Sequence, residues 1–198
     1  MKYILASASP RRKELLEKMG LDFEIIPAME EESVHTKNPQ DVVMELSAQK
    51  AREVFHRRRG KETPELIIGA DTVVAYQDSI LGKPKDEEDA YRMLSMLQGN
   101  CHKVYTGVTL VLRDGQSKRM HSFYEETKVV VNPMSETEIR MYIGTKEPFD
   151  KAGGYGIQGR FAVFVREIHG DYQNVVGLPV ARIYQEFLKL GIDIYEKQ

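Results

Sequence analysis

A single cysteine, Cys101, stands in the whole chain of 198 residues, which excludes an internal disulfide and any multi-cysteine zinc site. A free thiol suits a reducing compartment, so a cytoplasmic location is expected. No apolar run is long enough to span a bilayer, and the short run Tyr3-Ile4-Leu5-Ala6 gives way to serines and arginines before reaching the length of a signal-peptide core. No membrane partner is expected. Basic residues are not in excess either, since 28 Lys and Arg against 30 Asp and Glu leave a net charge of −2. Duplex binding needs a broad basic face, so no nucleic-acid partner is expected and any polyanion must meet a local positive site. The histidines at 35, 56, 102, 121 and 169 show no paired metal-ligand spacing, and no Gly-x-Ser-x-Gly elbow occurs. Covalent catalysis has no support.

What is present is a mixture of strand and helix signals throughout, with no repeat, low-complexity stretch or obvious linker. The length suits one compact α/β domain or two closely joined lobes. Ser9 and Pro10 open a helix running to Met19, with Gly20 as its stop. A short strand over 23–26 leads past Pro27 into an acidic loop, Met29 to Ser33. Asn38 and Pro39 open a long helix with Val42, Val43, Leu46, Ala51 and Val54 on one side. Leu66 to Tyr76 reads as a strand, and Gln77-Asp78-Ser79 as the turn of a hairpin. A helix follows over about 86–97, closed by Gly99. Segments 103–112 and 127–131 are β-rich, with Asp114-Gly115 as a turn between them. Ser135-Glu136-Thr137-Glu138 is a capping-box signature. After the glycine-rich stretch 153–159 the pattern predicts a strand from Phe161 to Ile168, and Leu178-Pro179 opens a last helix reaching about Leu190.

Three clusters carry chemistry. Ser7-Ala8-Ser9-Pro10-Arg11-Arg12 places hydroxyls and guanidiniums where a strand hands over to a helix, so the N–H groups and dipole of the helix start face the same point as the arginines. That is an anion site, or an ordinary capped helix with its arginines in solvent. Gly69-Ala70-Asp71-Thr72 puts an acid and a hydroxyl inside a hydrophobic strand, where a carboxylate must be paired, hydrogen-bonded or metal-bound. A structural aspartate capping a bulge reads equally from this segment. Leu81-Gly82-Lys83-Pro84-Lys85 brings an ammonium on a constrained turn, and Lys50 lies on the long helix. Each lysine taken alone reads as solvated. Together the cations suit a triphosphate, and Glu32 and Asp71 can hold a hard cation through oxygen.

Two further patterns are set aside. Gly154-Tyr155-Gly156-Ile157-Gln158-Gly159 has the letters of a dinucleotide fingerprint but precedes a β-branched and aromatic segment instead of a helix. His56-Arg57-Arg58-Arg59-Gly60-Lys61 has the look of a nucleic-acid patch, yet cations are also favoured at a helix C-terminus, and a solvated helix end is the preferred reading.

The segments Ser7 to Leu16, Gly69-Ala70-Asp71-Thr72-Val73-Val74, Leu81-Gly82-Lys83-Pro84, Asp150 to Gly159 and Val176-Gly177-Leu178-Pro179 occur in an order that closely resembles the Maf family of nucleoside triphosphate pyrophosphatases. The resemblance runs nearly end to end. It implies a two-lobed, mixed-sheet α/β fold with a central cleft, similar to the inosine triphosphatases. It also implies a frequent homodimer and hydrolysis between the α and β phosphates, with Mg²⁺ or Mn²⁺ as cofactor. Carried onto this chain, the family pattern makes Asp71 the proton acceptor and places Arg11, Thr72 and Gln158 at positions linked to substrate choice. Glu32, Lys50 and Lys83 match the remaining charged positions, Ser9 and Arg12 join them in binding substrate, and with Glu32 as a metal ligand Asp71 is base, metal ligand or both. The Tyr155 to Gly159 segment resembles the dTTP/UTP-selective branch, in which one amide side chain can pair with the carbonyl and imide N–H of uracil and thymine. Gly153-Gly154 departs from the more usual Gly-Ala. The family is also associated with inhibition of septum formation, which keeps a binding-only regulator of cell division as the alternative.

Overall fold

The computed structural model describes residues 1–58, 63–115 and 117–195; Arg59, Gly60 and Lys61 of the basic run lie outside them. Among the described residues the strands are β1 (Lys2–Leu5), β2 (Phe23–Ile25), β3 (Glu65–Tyr76), β4 (Ser79–Leu81), β5 (Cys101–Asp114), β6 (Ser117–Val131) and β7 (Val165–His169). Six helices are α1 (Pro10–Glu17), α2 (Pro39–Arg57), α3 (Glu87–Leu97), α4 (Glu136–Gly144), α5 (Tyr172–Val176) and α6 (Val180–Lys189). The strands pair in the order β2-β1-β3-β5-β6-β7, with β4 on β3. β1 runs parallel to both β2 and β3, whereas β3–β4 and β6–β7 are antiparallel. The mixed α/β sheet expected from the sequence is present.

The chain forms two compact units, one of residues 1–71, 106–125 and 177–198, the other of 72–105 and 126–176. In the first, Ile4, Ala6, Ala51, Val54, Ile67 and Val111 form a fully buried cluster. Its geometry depends on two glycines. A Cβ on Gly69 would lie 2.3 Å from the Ser47 carbonyl oxygen, and one on Gly107 would lie 2.2 Å from that of Val43. Any side chain at either position would lift α2 off β3 and β5. Ser47 Oγ then meets Thr109 Oγ1 at 2.9 Å, so the approach is closed by a buried hydrogen bond.

In the second unit α3 starts on Asp86, whose side chain accepts from the Asp89 N–H, and α4 starts on the expected capping box of Ser135 with Glu138. Tyr142, Tyr155, Phe161 and Phe164 pack as tilted rings with centroids of successive pairs 4.6–5.6 Å apart. This cluster overturns one expectation. Arg160–Phe164 is a 3-10 turn, and the strand begins only at Val165. Side chains three apart eclipse in such a turn, so Phe161 and Phe164 reach the same aromatic cluster while Val163 is left 75% exposed. A strand would have sent neighbours to opposite faces. β6 also starts ten residues earlier than its apolar pattern, because pairing with β5 holds a largely polar stretch in the sheet.

Candidate active site

The first unit builds a cation-rich corner at the start of α1. Ser9 is the N-cap, its Oγ accepting from the Arg12 N–H at 3.5 Å, with Pro10 in the first turn. Ser7 Oγ accepts from the Ser9 N–H and from Arg12 Nη1, both at 3.2 Å, and Arg12 Nε donates to the Gly177 carbonyl at 2.9 Å. The guanidinium thereby ties the first motif to the last, Val176-Gly177-Leu178-Pro179. Burial pushes the Arg12 pKa down and Arg11 adds to that, while Asp71 and Glu32 oppose it. Arg12 therefore feels both carboxylates expected to hold a cation. An arginine stays protonated under such a pull, so it is a fixed positive charge.

Lys50 is the centre of the acid cluster. Its Nζ donates to Asp71 Oδ1 and lies 2.8 Å from Glu32 Oε1. The ammonium and Asp71 are nearly buried, at 16% and 13% side-chain exposure, whereas Glu32 is 52% exposed. The close approach at Gly69 accounts for this pairing, because it seats the Ser47–Ala51 turn of α2 on β3 beside Asp71. Asp71 follows the stretch in which Leu5 pairs with Ile68, at the carboxyl end of the parallel pairing between β1 and β3. Open α/β sheets bind ligands at that end. The solvated-lysine reading of Lys50 is thus corrected, since its ammonium is paired with two carboxylates.

The second unit carries Thr72, Lys83 and Gln158. Thr72 is half-buried; Lys83 and Gln158 are exposed. The loop bearing Gln158 is held through its backbone: Tyr142 Oη accepts from the Gly156 N–H at 3.1 Å, and Glu147 Oε2 accepts from the Arg160 N–H at 3.1 Å. Gly153 and Gly154 have φ of 70° and 73°, in the left-handed region, and the Gly153 N–H donates to the Gly82 carbonyl at 2.9 Å. A Cβ on Gly153 would sit 2.9 Å from Val74 Cγ2. A 3-10 turn, Arg160–Phe164, and then a strand come directly after the glycines instead of an α-helix, so their failure to match a dinucleotide fingerprint stands. Sequence reasoning missed Tyr142 and Glu147, and their only linear signal is helical register far from the loop they hold.

Other features point away from chemistry. Arg58 is no solvated helix end. It pairs with the fully buried Glu65, its Nε 3.1 Å from Oε1, while Arg113 donates to the carbonyls of Arg58, the C-cap of α2, and of Phe55 at 2.6 and 3.1 Å. These charges close the helix end. A cavity of about 870 Å³ lined by Lys2, Tyr3, Asp22, Arg58, Pro64 and Asp193 lies at the amino ends of β1 and β3, and contains none of Arg12, Lys50 or Asp71. Among the described residues no three His, Cys, Asp or Glu side chains group to hold a metal, and no helix is long and apolar enough to cross a membrane.

The Maf-like protein family profile matches residues 2–190. The chain belongs to the Maf family. This Maf chain is 58% identical over 201 residues to a dTTP/UTP pyrophosphatase of Agathobacter rectalis, an alignment covering 96% of this chain and 98% of that one. It is 48% identical to the dTTP/UTP pyrophosphatase of Lachnoclostridium phytofermentans, covering 98% of each chain. For the protein of that name from Carboxydothermus hydrogenoformans the identity is 53%, over 96% of this chain and 100% of the relative. Among solved structures, the Staphylococcus aureus Ham1 protein aligns with a TM-score of 0.47 at 10% identity, covering 96% of this chain and 100% of that one.

Proposed function

We propose that this Maf chain hydrolyses dTTP and UTP to the nucleoside monophosphate and pyrophosphate. The observation that carries the proposal is the Lys50 ammonium held against both Asp71 and Glu32 beside Arg12, in a chain 58% identical to a dTTP/UTP pyrophosphatase. The oxygen of a water molecule attacks the α-phosphorus, the bond from that phosphorus to the α–β bridging oxygen breaks, and pyrophosphate leaves with that oxygen. The proton released by the water passes to the Asp71 carboxylate. Phosphoryl transfer asks chiefly for positioning and charge neutralisation, which Arg11, Arg12 and Lys50 of the first unit supply to a triphosphate. Lys50 also orients Asp71 through its hydrogen bond to Oδ1.

The donor set fits Mg²⁺ or Mn²⁺. Glu32 and Asp71 are oxygen donors that meet the same ammonium, and such ions are held by one or two carboxylates, with water and phosphate oxygens completing the shell. Glu32 and Asp71 would hold it; when bound, it would neutralise charge on the phosphates. Gln158 reads the base by donating to a pyrimidine carbonyl and accepting from the imide N–H. The protein works as a cytoplasmic homodimer in this reading, which rests on the family resemblance and on the lone thiol; light scattering of the purified chain tests the dimer. A binding-only role in division has no observation of its own among the described residues.

Pyrophosphate release measured across nucleoside triphosphates with Mg²⁺ and with Mn²⁺ tests the proposal. Turnover of dTTP and UTP well above dGTP and dCTP is expected, and equal rates on all four would remove the pyrimidine assignment. Gln158→Ala should lower the dTTP to dGTP preference about tenfold, the scale of one lost hydrogen bond to a substrate group. An unchanged ratio would place base reading elsewhere.

A further inference from the structure

Residues 29–35 carry Glu32 but belong to no helix or strand, and they are pinned to α2 at three levels. Glu53 accepts from the Met29 N–H at 2.9 Å through both carboxylate oxygens and from the Glu30 N–H at 3.1 Å. Gln49 accepts from the Ser33 N–H at 3.1 Å and donates back to the Ser33 carbonyl, a two-point clamp on one residue. Glu45 accepts from the His35 N–H at 3.1 Å and also meets the His35 ring. Positions 45, 49 and 53 repeat every four residues, so they form one row along the helix, spaced by about 6 Å. An extended chain covers about 3.3 Å per residue, so the two steps from Ser33 to His35 match one interval of that row. The segment therefore lies antiparallel along α2 as a strap. Lys50, next to Gln49 in sequence, meets Glu32, next to Ser33, at 2.8 Å.

Glu53 is built for this task and not for the surface. It is 6% exposed; burial raises its pKa, but the Glu30 and Met29 N–H groups and Arg57 outweigh that and hold it below the ordinary carboxylate range. Arg57 Nη1 bridges Glu53 Oε1 at 3.0 Å and the Pro27 carbonyl at 2.8 Å, fixing the entry to the strap.

We infer that Gln49 and Glu53, with Glu45, are positioning residues that hold the 29–35 strap in the register presenting Glu32 to Lys50 and Asp71. This rests on the reading of Glu32 as a cation ligand. Partners that orient a metal ligand are commonly worth 10–100-fold in metal affinity, which sets the size of the effect to look for.

The test uses the full chain and four variants, Gln49→Ala, Glu53→Gln, Glu32→Gln and Gln49→Ala with Glu32→Gln. Two quantities are read: binding of Mn²⁺ alone by electron paramagnetic resonance, and amide hydrogen exchange of residues 29–35. Gln49→Ala and Glu53→Gln should each speed exchange of the Ser33 and Met29 amides and weaken Mn²⁺ binding about tenfold. In the Glu32→Gln background, Gln49→Ala should weaken Mn²⁺ binding no further, because the clamp acts through Glu32. Equal weakening in both backgrounds, or faster exchange with Mn²⁺ binding unchanged, would overturn the positioning role. Full-strength Mn²⁺ binding by Glu32→Gln alone would instead bring down the cation reading, and the inference with it. Gln49 is half-buried and its truncation leaves the core intact, so the outcome does not hang on the folding of Glu53→Gln.

Discussion

Charge organises the acid–cation cluster of the first unit, whereas shape organises the Gly153–Gly159 loop of the second. Around Lys50 every contact that matters is ionic or charge-assisted, and the helix that delivers it is seated by two missing side chains, at Gly69 and Gly107. The loop bearing Gln158 is fixed by left-handed glycines, by backbone N–H groups given to Tyr142 and Glu147, and by packing of Tyr155 and Phe161. A charged site is broken by removing charge at constant shape. A shaped site is broken by adding a methyl group at constant charge.

The largest effect is expected from Asp71→Asn, which keeps the shape and removes the negative charge. Turnover of dTTP should fall about 10²–10⁴-fold while circular dichroism and thermal unfolding stay close to wild type. Near-normal rates would take Asp71 out of the mechanism.

Next comes the aromatic wall of the second unit. His102 is 2% exposed, shares a 2.7 Å hydrogen bond with Tyr155 Oη, and is pushed down by burial to a pKa of about 4 from 6.5. Its native pKa lies below its unfolded value, so the unfolded chain binds more protons and stability falls as pH drops from 6.5 towards 4. The loss approaches about 3 kcal/mol. His102→Phe should remove that slope, which urea unfolding of wild type and variant at pH 7 and pH 4.5 would measure; parallel losses in both would assign the acid sensitivity to other groups.

Gly153→Ala adds one methyl group at φ 70° against Val74 and should destabilise by about 1–3 kcal/mol, with a lowered dTTP to dGTP preference as the loop shifts. If stability falls and selectivity does not, the loop shape and the base reading are separate. The smallest effect belongs to Ser9→Ala, a lost N-cap worth about 1 kcal/mol in thermal unfolding. A much larger loss of turnover than of stability there would mean that the Ser9 hydroxyl meets substrate directly.

Much of this was legible in the letters, and the misses share a cause. Caps at Ser9, Asn38, Asp86 and Ser135 are local signals and the helices begin on them. The segment after Gly159 misled because Phe161, Val163, Phe164 and Val165 satisfy strand propensity, while the structure gives priority to packing two phenylalanines into one aromatic cluster. Lys50 and Arg58 both look like exposed helix residues, and each proves to be paired with a carboxylate of β3.

The chain's own letters determined where helices start, which glycines close helices and turns, and that hydroxyls, cations and carboxylates of the right kinds are present in family order. Only the tertiary structure decided that Lys50 faces both Glu32 and Asp71, that Arg12 reaches Gly177, and that α2 doubles as the anchor of the Glu32 strap. Caps and turns are settled by neighbours within a few residues, whereas an ion pair between a helix and a strand depends on how closely their backbones pack. Here that distance was set by the absence of a Cβ at Gly69 and Gly107, a signal that has no meaning until the partner helix is in place.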